Sequence, residues 1–90
     1  MQEVFSRVGS LSLPLAKQEF FELRIEVSSN PNRRGFVVMQ SRGCWSEADR
    51  QLMWDEIERE HTFTFEAAAS CYASRRHNLV ERGFTEGQGG

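Results

Sequence analysis

The segment from Thr62 to Thr85 reads TFTFEAAASCYASRRHNLVERGFT, and both ends of a helix are written into it. Thr64 is a suitable N-cap, because its hydroxyl can accept one of the backbone N–H groups that the first turn leaves unpaired. Phe63 precedes the cap and Ala68 lies inside the helix at the spacing of a hydrophobic staple. Gly83 can adopt the left-handed conformation that stops a helix, and Phe84 can then fold back on Leu79. Phe65, Ala68, Ala69, Tyr72 and Leu79 form the inner stripe. The small residues Ala67 to Ala69 allow close approach to a sheet or another helix. The turn Arg75-Arg76-His77 points outward and has no packing explanation. A helix fixed at both ends must lie against something, so the question becomes what the rest of the chain supplies.

Glu19 to Val27 supplies a strand. Phe21, Leu23, Ile25 and Val27 alternate with Glu22, Arg24 and Glu26, which places one face on a core and one in water. Ser28-Ser29-Asn30-Pro31-Asn32 is a run of turn formers. Arg33-Arg34-Gly35 leads into Phe36–Ser41, a second apolar run of strand length. The two predict an antiparallel hairpin with Arg33 and Arg34 solvated near its tip. Leu11, Leu13 and Leu15 alternate with Ser12 and Pro14, as in an edge strand. Val4, Phe5 and Val8 form a possible short strand before a bend at Gly9-Ser10. A third strand from this region would help, since a lone hairpin is marginal.

Arg42-Gly43 reads as the end of the second strand. Ser46-Glu47-Ala48-Asp49 then has the form of a helix start with acids in the first turn. Trp45, Ala48, Leu52, Met53 and Ile57 recur at helical spacing, and Asp55 and Arg59 stand four apart. The expectation is a helix running to about Glu60, with a strand over Leu52–Glu60 as the competing reading. Strands first and helices after predict an α+β fold: a small antiparallel sheet of two to three strands followed by two helices packed on one face. Residues 1–85 are expected to form a single domain and residues 86–90, polar and Gly-rich, a disordered tail.

Charge is unevenly distributed around a net −2: residues 1–45 carry +2, residues 46–62 carry −4, and residues 63–90 balance. This is not the charge of a globally basic nucleic-acid binder. The run Leu11–Leu15 is too short for a signal-peptide core or a membrane span. A cytoplasmic location, no membrane partner and two reduced thiols, Cys44 and Cys71, follow as expectations. Cys44, His61, Cys71 and His77 lack the ligand spacing of a zinc site, so neither metal nor cofactor is expected.

Arg33, Arg34, Arg42, Arg75 and Arg76 are the candidate phosphate contacts, with Trp45 or Phe36 as a stacking group. The acids Asp49, Asp55, Glu56, Glu58 and Glu60 form a solvated face able to dock a basic partner. Cys44, beside Arg42 and near the expected helix start, is the candidate nucleophile, and His61 a candidate acid or base. Neither has an evident partner group, and no catalytic residue is assigned.

Phe20-Phe21-Glu22-Leu23, Gly35-Phe36-Val37, Thr62–Ala68 and the closing Arg82-Gly83-Phe84 resemble the framework of short bacterial WGR-type domains over residues 19–85. The resemblance implies a small antiparallel sheet backed by a helix ending in a Gly-aromatic pair, and an association with nucleic acid. The Trp-Gly-Arg signature is absent. Ser41-Arg42-Gly43 stands at its place with Trp45 displaced, so Arg42 alone carries over as a binding candidate. The sequence therefore leads to a non-enzymatic interaction module, with protein–protein contacts through the acidic first helix and an exposed strand edge, and with self-association as one form of it. Nucleic-acid binding through a local Arg patch is the alternative, and a small enzyme using Cys44 or His61 a second.

Overall fold

In the computed structural model, which describes residues 2–7 and 18–86, the chain forms five strands and one helix. The strands are β1 (Gln2–Arg7), β2 (Phe20–Val27), β3 (Phe36–Ser46), β4 (Gln51–Thr62) and β5 (Phe84–Glu86), with α1 (Phe65–Glu81) between β4 and β5. They make one antiparallel sheet in the order β4-β3-β2-β1-β5. The expected edge strand around Leu11–Leu15 lies outside the described residues, as does the tail from Gly87 onward. Glu86, expected in that tail, is the last residue of β5.

α1 lies on one face of the sheet. Phe5 from β1, Phe21, Leu23 and Ile25 from β2, Val38 from β3 and Phe84 from β5 meet Ala68, Tyr72 and Leu79 of the helix in a buried cluster. Removing such side chains from water is the main favourable term in folding. Phe21 and Phe84 meet edge to face at 5.1 Å, and Arg82 lies over both rings as a partly hydrated lid. Phe21, Leu23 and Ile25 face the core as their spacing predicts, whereas Val27, at 75% exposure, has run past the end of it. The polar face of β2 is covered as well: Phe20 and Glu22 are buried, and Gln2 Nε2 donates to Glu22 Oε2 at 2.5 Å.

The helix ends form as the sequence predicts in three respects. Thr64 Oγ1 accepts from Ala67 N at 3.1 Å. Gly83 adopts a left-handed φ of +92°, and its N–H donates to Val80 O at 3.0 Å. Phe84 enters the core, although it does so as the first residue of β5, pairing with Arg7 of β1. The staple does not form: Phe63 is 77% exposed and packs edge to face on His61 at 5.0 Å.

The expected sheet of two to three strands with two helices is incorrect. The second helix, over Ser46 to about Glu60, does not exist; that stretch completes β3, turns, and returns as β4. The cap-like bond is real, since Asp49 N–H donates to Ser46 Oγ at 3.2 Å, but it closes a hairpin turn. Arg50 then takes a left-handed φ of 53°, which no helix interior accepts. Arg42-Gly43 does not end β3 either. A Cβ at Gly43 would stand 2.9 Å from the Trp54 ring and 3.0 Å from Phe20 Cβ, so the glycine lets those two side chains close over the strand.

Gly35 sits where β2, β3 and the end of β4 converge. Its φ is +128°, and a Cβ there would lie 2.1 Å from the Thr62 carbonyl oxygen. Backbone strain and the clash add, so Gly35→Ala should cost ~3 kcal/mol. Gly83→Ala meets nothing closer than 3.9 Å and should cost only ~1 kcal/mol, the left-handed penalty alone. Urea denaturation of the two variants checks the order.

Candidate functional site

β4 carries most of the chain's acidic excess, and it is the outer strand of the sheet. No strand pairs with its far side among the described residues. Its twelve residues hold Asp55, Glu56, Glu58 and Glu60 against Arg59. They are tolerated because an edge strand presents one backbone edge and most of both faces to water, so it needs no apolar alternation.

Register with β3 assigns the faces. Glu60 lies opposite Val38, Glu58 opposite Gln40 and Asp55 opposite Arg42, all on the helix side. Two contacts to α1 fix this side: Arg75 pairs with Glu58, and Cys71 Sγ donates to Glu60 Oε2 at 2.6 Å. On the other side, Arg59 lies opposite Met39, Glu56 opposite Ser41 and Trp54 opposite Gly43. The pairing slips between Gln40 and Ser41, which leaves Ile57 as an extra, bulged residue at 48% exposure. This bulge brings Glu56 and Arg59 to one face, where the guanidinium Nη2 reaches Glu56 Oε1 at 2.7 Å. A three-residue spacing that looks helical in the sequence is thus an ion pair across a strand bulge. The expected Asp55–Arg59 partnership does not form, because those side chains lie on opposite faces.

The predicted basic residues do not meet as a patch. Arg33 and Arg34 are exposed on the β2–β3 loop. Arg42 is exposed on β3, and the six residue steps from Phe36 to Arg42 span about 20 Å of extended chain. Trp45, half-buried, lies farther along, opposite Leu52. Arg75 is taken by Glu58, with Gln40 Oε1 at 3.5 Å. Arg76 reaches Glu3 Oε2 and Glu86 Oε2, each at 3.4 Å, and lies 5.7 Å from the centre of the Phe5 ring. The outward Arg75-Arg76 turn therefore has a structural use after all: it fastens the helix to β4 on one side and to β1 and β5 on the other.

Tyr72 completes that second fastening by donating its hydroxyl to Glu3 Oε1. Burial raises the tyrosine pKa further than the adjacent Glu3 does, and both keep it protonated. For Glu3, burial acts to raise the pKa, but hydrogen bonds with Tyr72, Glu86 and Arg76, together with the Arg76 charge, outweigh it and hold the carboxyl below its ordinary range. Cys71 is pushed up to about 11 by burial first and then by Glu60, so its thiol stays protonated at neutral pH. Cys44 is exposed on β3 opposite Met53, with no helix start beside it. His61 sits at the opposite end of β4, its Nε2 3.3 Å from Arg33 O. Among the described residues no cluster of three or more His, Cys, Asp or Glu could hold a metal, and no helix is long and apolar enough to cross a membrane.

A second surface lies at the β2–β3 loop. An open cavity of about 490 Å³ is lined there by Val27, Ser28, Pro31, Arg34, Phe36 and Phe63, among others. Phe65, packed edge to face on Phe36 at 5.6 Å, is also exposed nearby in sequence. The sequence reading assigned Phe63 to a staple and so missed it as a surface residue. No family model, curated protein or solved structure matches the chain.

The Glu3 linkage has a definite sign. A carboxyl whose folded pKa is depressed contributes stability above the unfolded value, here near 4.5, and loses it as pH falls through the folded value. The stability difference between the wild-type chain and Glu3→Gln should therefore be largest near neutral pH. It should shrink as acid is added below 4.5, measured by urea denaturation across pH.

Proposed function

We propose that the protein is a binding module that takes an extended segment of a protein partner along the outer edge of β4. One observation carries this reading: a twelve-residue strand stands at the sheet edge with nothing paired to its far side among the described residues. Such an edge offers a row of backbone donors and acceptors that an added strand can satisfy, with neighbouring side chains supplying selectivity. The acidic segment and the exposed strand edge, two separate features in sequence terms, are here one surface.

A second copy of the chain meets this edge with mixed charge pairing. Antiparallel self-pairing centred on Ile57 sets Glu56 against Glu58 but Asp55 against Arg59, whereas centring it on Glu58 opposes that residue to its own copy and Glu56 to Glu60. Directly opposed like charges destabilise a sheet, so the second of these registers is disfavoured.

The test is selection of a random heptapeptide display library on the immobilised full-length chain, followed by amide hydrogen exchange with the winning peptide. Backbone amides within Gln51–Thr62 that exchange readily in the free protein should become protected. Protection confined to the β2–β3 loop and Phe63, or no selected peptide, would remove the edge reading.

Nucleic-acid binding is the second reading, favoured by the exposure of Arg33 and Arg34 beside the solvent-facing Phe63. The resemblance to WGR-type domains points the same way. This reading expects salt-dependent binding of a single-stranded oligonucleotide that Arg33→Ala/Arg34→Ala weakens. No binding at low salt would eliminate it.

A further inference from the structure

The charges along β4 specify the segment it accepts. We infer that the β4 edge selects a partner strand with Lys or Arg at two positions four residues apart, both on the helix side of the extended sheet, and with an uncharged residue midway between them. This rests on the edge-binding reading and goes beyond it by naming the ligand's chemistry and register.

The argument starts from the helix-side carboxylates Glu60, Glu58 and Asp55. They lie opposite Val38, Gln40 and Arg42 on β3, so a strand added to the outer edge in the same manner meets them at its own positions i, i+2 and i+4. The bulge at Ile57 absorbs the three-residue step between Glu58 and Asp55, which is why a regular strand stays in phase with both ends. The three carboxylates are not equivalent. Glu58 is already paired with Arg75 from the helix, so a cation opposite it would meet that guanidinium as well. Glu60 accepts a bond from the neutral Cys71 thiol and keeps its charge available. Asp55 has Arg42 opposite it on β3. An added strand lies about 4.8 Å from β4 and twice that from β3, beyond the physiological Debye length of about 8 Å, so Asp55 dominates there. On the other face Glu56 and Arg59 satisfy each other, and a partner needs no charge on that side.

The test uses the full chain and three blocked heptapeptides of valine and threonine background. One has lysine at its second and sixth positions, on one face. Its isomer has lysine at the second and fifth, on opposite faces with the same net charge. The third has glutamine at the second and sixth. Affinity is read by calorimetry and location by amide hydrogen exchange. The same-face peptide should protect β4 and bind about fivefold more tightly than either control, the product of two exposed cross-strand charge pairs. Asp55→Asn/Glu60→Gln should abolish that preference while circular dichroism shows the fold retained. Equal binding of all three peptides at β4 would overturn the charge inference and leave the edge reading standing. If no peptide protects β4 amides, the edge reading itself falls.

Discussion

Everything in this fold depends on how the chain leaves its helix. Gly83 turns left-handed at the end of α1, and the next residue, Phe84, is both the first residue of β5 and a wholly buried member of the core. One residue thus ties the helix end to β1 through the ladder and to Phe21 through ring contact. At the other end, Thr64 caps the helix and Phe65 meets Phe36 of β3. The helix is held at both termini, and its middle is fastened by Arg75 to β4 and by Tyr72 and Arg76 to Glu3. The sheet beneath it extends past β3 to β4, which α1 touches through Glu58 and Glu60.

That extension explains the division of labour across the sheet. β1, β2, β5 and the first half of β3 carry the apolar side chains that the helix covers. β4 contributes no fully buried residue. It is held by the β3 ladder and by a few polar ties to α1. Among the described residues, a strand so placed leaves its outer backbone edge and most of its side chains in water, although the Trp54 ring closes over Gly43.

The sequence was most legible where one residue type has one physical use. The Thr64 cap, the Gly83 stop and the alternation of Phe21, Leu23 and Ile25 all appear in the structure for the reasons that made them recognisable. The stretch 46–60 was misleading for an equally physical reason. Ser46 and Asp49 form the same hydrogen bond in a turn that they would form at a helix start, and Asp55 and Arg59, four apart as on a helix face, lie on opposite faces of a bulged strand. Strand propensity counts for little at an exposed edge, so charged residues did not exclude a strand there. The candidate arginines could be named from the sequence, but whether they converge depends on which carboxylates lie within reach. Glu58, Glu3 and Glu86 are 17, 73 and 10 residues from their partners.

What the sequence determined by itself was the local content: a helix with defined ends, a central apolar strand, a polar loop with two arginines and an acidic segment. Those follow from backbone conformation and periodicity, which act over a few residues. The tertiary structure alone decided that the acidic segment is an edge strand, that β1 lies between β2 and β5, and that Arg75 and Arg76 act as fasteners. Each of these rests on pairing between residues distant in the chain, where the gain comes from shared burial and ladder hydrogen bonds that no local pattern records.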